Sequence, residues 1–243
     1  MGADHKTKKI MKKILLSFAA LAISVAAMSQ ARVGVKAGWN LSNITYDNSG
    51  NTKDGRSLSG FNVGAIADLP LVPKILSFQP GVFYTTKGTK LETGDKNNST
   101  VNPYAKYTIN PSYIEIPLNF VAKLPVGPSA SLFAGVGPYF AFGVAGKQKY
   151  ETTIAGVNAS GSESIKWDDD TPFSNDPNTA YNKMKRFDWG GNVQIGAELS
   201  NFLISAQYGI GFAKVYSGQE NSSDDKNKNR VFSVSVGYLF GGK

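Results

Sequence analysis

Residues 231–240 read Val-Phe-Ser-Val-Ser-Val-Gly-Tyr-Leu-Phe. Side chains of an extended chain alternate between two faces, so Phe232, Val234, Val236, Tyr238 and Phe240 share one side and Ser233, Ser235 and Gly237 the other. One face is apolar and aromatic, the other small and polar. Placed almost at the chain terminus, such a strand is suited to close a barrel whose outside meets lipid. The rest of the chain must then supply strands that pair edge to edge until the last meets the first.

Seven earlier stretches repeat the same alternation: Arg32–Ile44, Leu58–Leu69, Ile75–Lys87, Tyr113–Leu124, Ser131–Ala145, Arg186–Leu199 and Phe202–Val215. The gaps between strands alternate in length. Pro70–Lys74, Pro125–Pro128 and Ser200–Asn201 are short, whereas Thr45–Ser57, Gly88–Ile109, Gly146–Lys185 and Tyr216–Asn229 are long and polar. An even strand number with short turns at one end and long loops at the other predicts an all-β, eight-stranded antiparallel up-and-down transmembrane β-barrel. Tyr84, Phe142, Phe187, Trp189, Phe212 and Tyr216 fall at the long-loop ends, and Phe120, Phe202, Tyr238 and Phe240 at the short-turn ends, as two interfacial girdles would. A soluble barrel with its apolar face turned inward is the alternative. The face opposite the apolar one carries too much charge for it.

Ahead of the first strand, Lys12-Lys13 followed by the apolar run Ile14–Ala27 and the small residues Ala27, Ser29 and Ala31 reads as a secretory signal peptide. The run is too short for a membrane helix of about 20 residues. Cleavage after Ser29 or Ala31 fits equally. The ten residues before Met11 are an overlong leader or an artefact of the gene's start. The chain therefore divides into 1–31, leader with extension, and 32–243, outer-membrane barrel exported through the inner membrane.

Composition narrows the function. Of the net charge of +8, the leader holds five lysines and Asp4, leaving 21 basic and 17 acidic residues scattered over the remainder. A nucleic-acid partner is not expected from so mild a balance. There is no Cys, and the one histidine, His5, lies in the leader. Barrel phospholipases, acyl-editing enzymes and omptin-type proteases need a histidine, so no catalytic residues and no cofactor are expected. The carboxylates of Glu115 and Asp188 are read as structural.

The inward face instead predicts a network of charges, Lys36, Asp68, Glu115, Lys123, Asp188 and Glu198. With Arg32 added, Lys36, Asp68, Lys123 and Glu198 lie near the short-turn end, and Glu115, Gln194 and Tyr139 higher up. The interior of an eight-stranded barrel is only wide enough for side chains to fill it, so these residues are expected to form a polar plug. In the longest loop, Trp167, Asp168, Asp169, Asp170 and Phe173 form a possible contact patch, or pack the loop onto the barrel rim. Neither Asp168–Asp170 with Asp176 nor Asp47, Ser49 and Asn51 has the spacing of a calcium loop.

Four stretches carry a resemblance: Gly34-Val-Lys-Ala-Gly-Trp-Asn-Leu-Ser-Asn43; Gln79-Pro-Gly-Val-Phe-Tyr84 with Lys87-Gly88; Tyr113-Ile-Glu-Ile-Pro-Leu118; and Val236-Gly-Tyr-Leu-Phe240. Together they resemble the PorT-type outer-membrane β-barrel family, which implies an eight-stranded barrel of OmpA/OmpX-like architecture. The named member of that family is linked to protein secretion, and the family supplies no catalytic residues. The expectation is a monomeric, non-enzymatic barrel in contact with outer-membrane lipid and lipopolysaccharide, whose long external loops meet the surroundings or a protein partner. An accessory of a secretion or assembly machine, working through periplasmic turns, and a narrow solute pore are the alternatives.

Overall fold

The computed structural model describes residues 31–45, 55–96, 103–167, 183–215 and 227–241. The leader and parts of the long loops lie outside these. The elements are all strands: β1 (Arg32–Ile44), β2 (Gly55–Val72), β3 (Leu76–Thr86), β4 (Thr89–Thr93), β5 (Tyr104–Gly127), β6 (Ala130–Ile154), β7 (Val157–Ser164), β8 (Lys166–Trp167), β9 (Lys183–Met184), β10 (Phe187–Leu199), β11 (Phe202–Gly211) and β12 (Asn229–Phe240). β1, β2, β3, β5, β6, β10, β11 and β12 pair antiparallel in chain order, and β12 returns to β1 in an unbroken register from Val33↔Phe240 to Ile44↔Asn229. The fold is an eight-stranded antiparallel barrel. The closing stretch does close it.

Tight turns join the strands at one end, over 73–75, 128–129 and 200–201. Lys74 and Ser200 take left-handed conformations there, with φ of 63° and 55°. Alternation then decides which side each residue faces. Val35, Phe61, Val63, Val136, Ile195, Ile204 and Val236 are exposed on the outer wall, while Asn40, Asn62, Asn192, Ser233 and Ser235 are buried inside. Aromatic pairs stand at both ends of the wall. Phe61 and Tyr84, Phe140 and Phe187, and Trp189 and Phe212 have ring centroids 5.9, 6.4 and 5.2 Å apart toward the long-loop end, and Phe202 lies 5.0 Å from Tyr238 at the other. Tyr216 lies outside the described residues.

Close approach inside the wall explains one glycine. A Cβ on Gly38 would collide with Ser235 Oγ and the Val234 carbonyl oxygen. Glycine at 38 therefore lets β1 and β12 keep their side chains on one crowded inner face.

Two expected loops are in large part strands. Residues 88–109 contain β4 and the start of β5, and residues 146–185 contain the upper half of β6 and all of β7. β5 and β6 continue their ladder from Pro111↔Gly146 to Tyr104↔Thr153 beyond the barrel, flanked by β4 on one side and β7 on the other. The turn from β6 to β7 has φ of 50° at Ala155 and 81° at Gly156, the two positive values a type I′ hairpin requires. These segments lack a polarity pattern because water wets both sides of a sheet that has left the barrel, so neither face need be apolar. The seventh ring strand is in turn shorter than expected, ending at Gly211 rather than Val215.

The polar-plug expectation needs a correction of its own. Ile66, Phe83, Val121, Phe133, Leu203 and Leu239 point inward and form a buried apolar cluster across the lumen. They occupy the same parity as the polar inward residues. A closed interior rewards filled volume as much as polarity.

Candidate functional site

The lumen is stratified along the strands. At its short-turn end four charges from four strands meet. Arg32 donates from Nη2 to Asp68 Oδ2 at 2.5 Å and to Glu198 Oε2 at 3.0 Å, with a further contact from Nη1 to Glu198 Oε1. Lys123 Nζ lies 2.7 Å from Asp68 Oδ2 and 3.4 Å from Glu198 Oε2. Gln79 Nε2 donates to the other Asp68 oxygen at 3.0 Å. Asp68 is fully buried, so these donors replace the water its carboxylate has lost.

Next along the strands lie the apolar cluster and then an amide and hydroxyl layer built on Asn40. Its Nδ2 donates to the carbonyls of Phe61 and Thr86 and to Thr85 Oγ1, at 2.9 to 3.1 Å. Its Oδ1 accepts from Asn62 Nδ2 at 2.7 Å and Ser233 Oγ at 2.8 Å. Every polar atom of that side chain is satisfied.

Toward the long loops a second ion cluster is centred on Lys87. Its Nζ lies 2.7 Å from Glu115 Oε2 and 3.1 Å from Asp188 Oδ2, and 4.1 Å from the centre of the Tyr139 ring. Asp188 Oδ2 also accepts from Asn229 Nδ2 at 3.0 Å and from Tyr139 OH at 3.3 Å. An apolar cap of Ile44, Ile109, Ile165, Met184 and Val215 covers this end, with Trp167 packed against it. Outside the barrel the extension sheet carries its own ion pairs. Arg56 lies 3.1 Å from Glu92, and Tyr104 OH donates to Glu92 at 2.7 Å. That hydroxyl, ahead of the nearby cations, holds the Glu92 carboxyl below the ordinary carboxylate range.

A closed antiparallel ring, an apolar wall and a charged interior belong together in one class of protein. The sequence profile of the outer membrane protein beta-barrel domain matches residues 23–217. This chain belongs to that outer-membrane barrel family. The match places the barrel in the outer membrane and does not extend to the PorT-type kinship suggested by the four stretches. No curated protein matches. Among solved structures, the attachment invasion locus protein Ail of Yersinia pestis is 15% identical over 87% of this chain and 99% of its own, with a TM-score of 0.36. Neisserial surface protein A is 11% identical over 86% and 97%, TM-score 0.40. OprG of Pseudomonas aeruginosa is 11% identical over 88% and 98%, TM-score 0.35. None of these likenesses bears on what this outer-membrane barrel does.

The six charges picked out from sequence do not form one network. Asp68, Lys123 and Glu198 meet near Arg32, and Glu115 and Asp188 meet at Lys87. Lys36 joins neither. Among the described residues its only side-chain hydrogen bond is a long one, 3.5 Å to Gln194 Oε1, and its neighbours across the ladder are Gly64 and Gly237, which bring no carboxylate. Lys87 is the inward residue that the sequence reading omits, although the expected third strand, Ile75–Lys87, ends on it. Extending the inward parity Ser77, Gln79, Gly81, Thr85 by one step finds it.

Of the two readings of Trp167, contact patch or packing against the barrel rim, its position is the second. Trp167 does not face outward. Its ring lies edge-on to Tyr113 at 5.6 Å, over Gly143, where any side chain would collide with the indole. The bare glycine and the apolar cap together give the indole more burial inside the mouth than outside it. Asp168, Asp169, Asp170 and Phe173 lie outside the described residues, as do Asp176, Asp47, Ser49 and Asn51.

Proposed function

We propose that this outer-membrane barrel is non-enzymatic, that its lumen is stoppered by its own side chains, and that it meets its surroundings or a protein partner through its outer end. The filling of the lumen carries this reading. A cavity of about 760 Å³ opens at the long-loop end beside Gly146, Ile165 and Trp167, but deeper in the lumen the two ion clusters and the apolar layer leave spaces of about 30 and 20 Å³, each with room for one or two waters at about 10–15 Å³ apiece. Solutes do not pass spaces of that size. Planar-bilayer recordings of the purified protein should therefore show no steady conductance, and a reproducible open level of porin size would promote the pore reading instead.

The outer end offers the extension sheet formed by β4, β5, β6 and β7. Its exposed apolar side chains, Tyr107, Tyr150, Ile154 and Val157, are spaced over a mostly polar surface. The short turns at the opposite end leave little surface for recognition. The start of β1 and the end of β12 lie at the short-turn end, which an exported chain would place on the periplasmic side; the PorT-type kinship, as part of this proposal, fits the same arrangement. Protease added to intact cells should accordingly cut at the Ala155–Gly156 hairpin or between Tyr216 and Asn229. It should spare the turns at 73–75 and 128–129, and cutting there with the outer membrane intact reverses the orientation.

A further inference from the structure

Lys36 is the described lumen cation with no carboxylate in salt-bridge range. Arg32 and Lys123 are matched by Asp68 and Glu198. Lys87 is held by Glu115 and Asp188, and the same Asp188 oxygen, Oδ2, also accepts from the Asn229 amide and the Tyr139 hydroxyl, while Oδ1 has no partner. Leaving an ammonium inside a barrel with one long contact to a neutral amide is costly, because a desolvated charge needs a counter-charge or several good acceptors.

One donor beside Lys36 lacks an acceptor. Lys36 faces the 30 Å³ cavity together with Asn192, Gln207, Ser233 and Ser235. Asn192 is buried, and its Nδ2 donor has no hydrogen-bond partner in the protein. The two serine hydroxyls donate to Asn40 and Asn62, so they offer the cavity oxygens and no O–H. Glu115 also borders the cavity, but Lys87 holds its carboxylate at 2.7 Å. Lys36, Asn192, whose Nδ2 is orphaned, and Gln207 therefore line one space of a few ångströms from β1, β10 and β11. A water-sized particle needs about 10–15 Å³ on this measure, so a monatomic anion fits where a phosphate or carboxylate does not.

We infer that the middle of the lumen is a buried site for a small monovalent anion of chloride type, held by the Lys36 ammonium and the amides of Asn192 and Gln207. The anion supplies the counter-charge that the fold withholds from Lys36. It also gives the Asn192 N–H an acceptor. The site is a structural ligand site within the barrel wall and does not depend on what the outer end contacts.

Bromide is the probe. Crystals of the wild-type barrel soaked in sodium bromide should show an anomalous bromine peak within hydrogen-bond reach of Lys36 Nζ and Asn192 Nδ2. In parallel, urea unfolding in detergent micelles is compared in chloride and in gluconate at equal ionic strength. Because the stabilisation follows one plus the ratio of anion concentration to its dissociation constant, a tenfold excess of chloride should raise the folded-to-unfolded ratio roughly tenfold. Lys36→Met should abolish that dependence, and Gln207→Leu, which keeps the lysine, should weaken it. No bromine peak at the cavity, or identical unfolding in chloride and gluconate for the wild type, overturns the site and leaves Lys36 bridged to Glu115 by water. The wild-type measurements decide the matter even if Lys36→Met fails to fold.

Discussion

Lys87→Met is expected to destabilise the folded barrel by about 3–5 kcal/mol, the scale observed when one member of a buried ion pair is removed and its partner stays charged. Lys87 is almost completely buried and stands between two carboxylates that, among the described residues, have no second cation within 4 Å. Its removal therefore leaves Glu115 facing Asp188 inside the wall, and also forfeits the cation–π contact with Tyr139. Coupling distinguishes this cause from simple loss of packing. Adding Asp188→Asn to the Lys87→Met chain should restore part of the loss, since it removes one of the stranded charges while keeping the shape. Unfolding titrations in lipid vesicles read both. A single substitution that costs under about 1 kcal/mol, or a double variant worse than the sum of its parts, defeats the argument. Lys36→Met, by contrast, strands no carboxylate and should be mild in the absence of a bound anion.

Val236→Arg should cost about 2–4 kcal/mol, the penalty for a cation on the lipid face near the bilayer midplane. Val236 is 60% exposed on the outer wall, paired with Ala37 and Ile204, and lies midway between Phe232 and Phe240. Moving the same arginine to a loop-end position of the outer wall, such as Phe212, should cost much less, because the side chain there reaches the headgroup region. Equal losses at the two depths in a vesicle unfolding titration exclude the register. Substitutions at Ser235 are poor controls for this experiment, although the alternation alone makes them attractive. Ser235 is buried against Gly38 and bonded to Asn62, so Ser235→Asn overpacks the inner face.

The alternation of residues 231–240 was enough to specify a strand with one lipid side, and its recurrence was enough to specify the ring. Lipid forces that legibility. A wall with water on neither side has to satisfy its backbone within the sheet and keep its outer face apolar, so the period of two runs through every spanning segment. Once the strands leave the barrel that constraint lapses. β4, the upper parts of β5 and β6, and β7 consequently look like loops in sequence, since neither of their faces has to be apolar. The inward parity likewise identified Lys36, Asp68, Glu115, Lys123, Asp188 and Glu198 as interior charges, but could not say which would meet. Pairing depends on the stagger between strands. Arg32 lies directly across from Asp68 on the adjacent strand, whereas Glu198 reaches it only across the lumen. Only the closed ring set those depths, seating Lys87 between two carboxylates, leaving Lys36 beside glycines, and turning Trp167 inward over Gly143, because the packing that decides each case joins residues far apart in the chain.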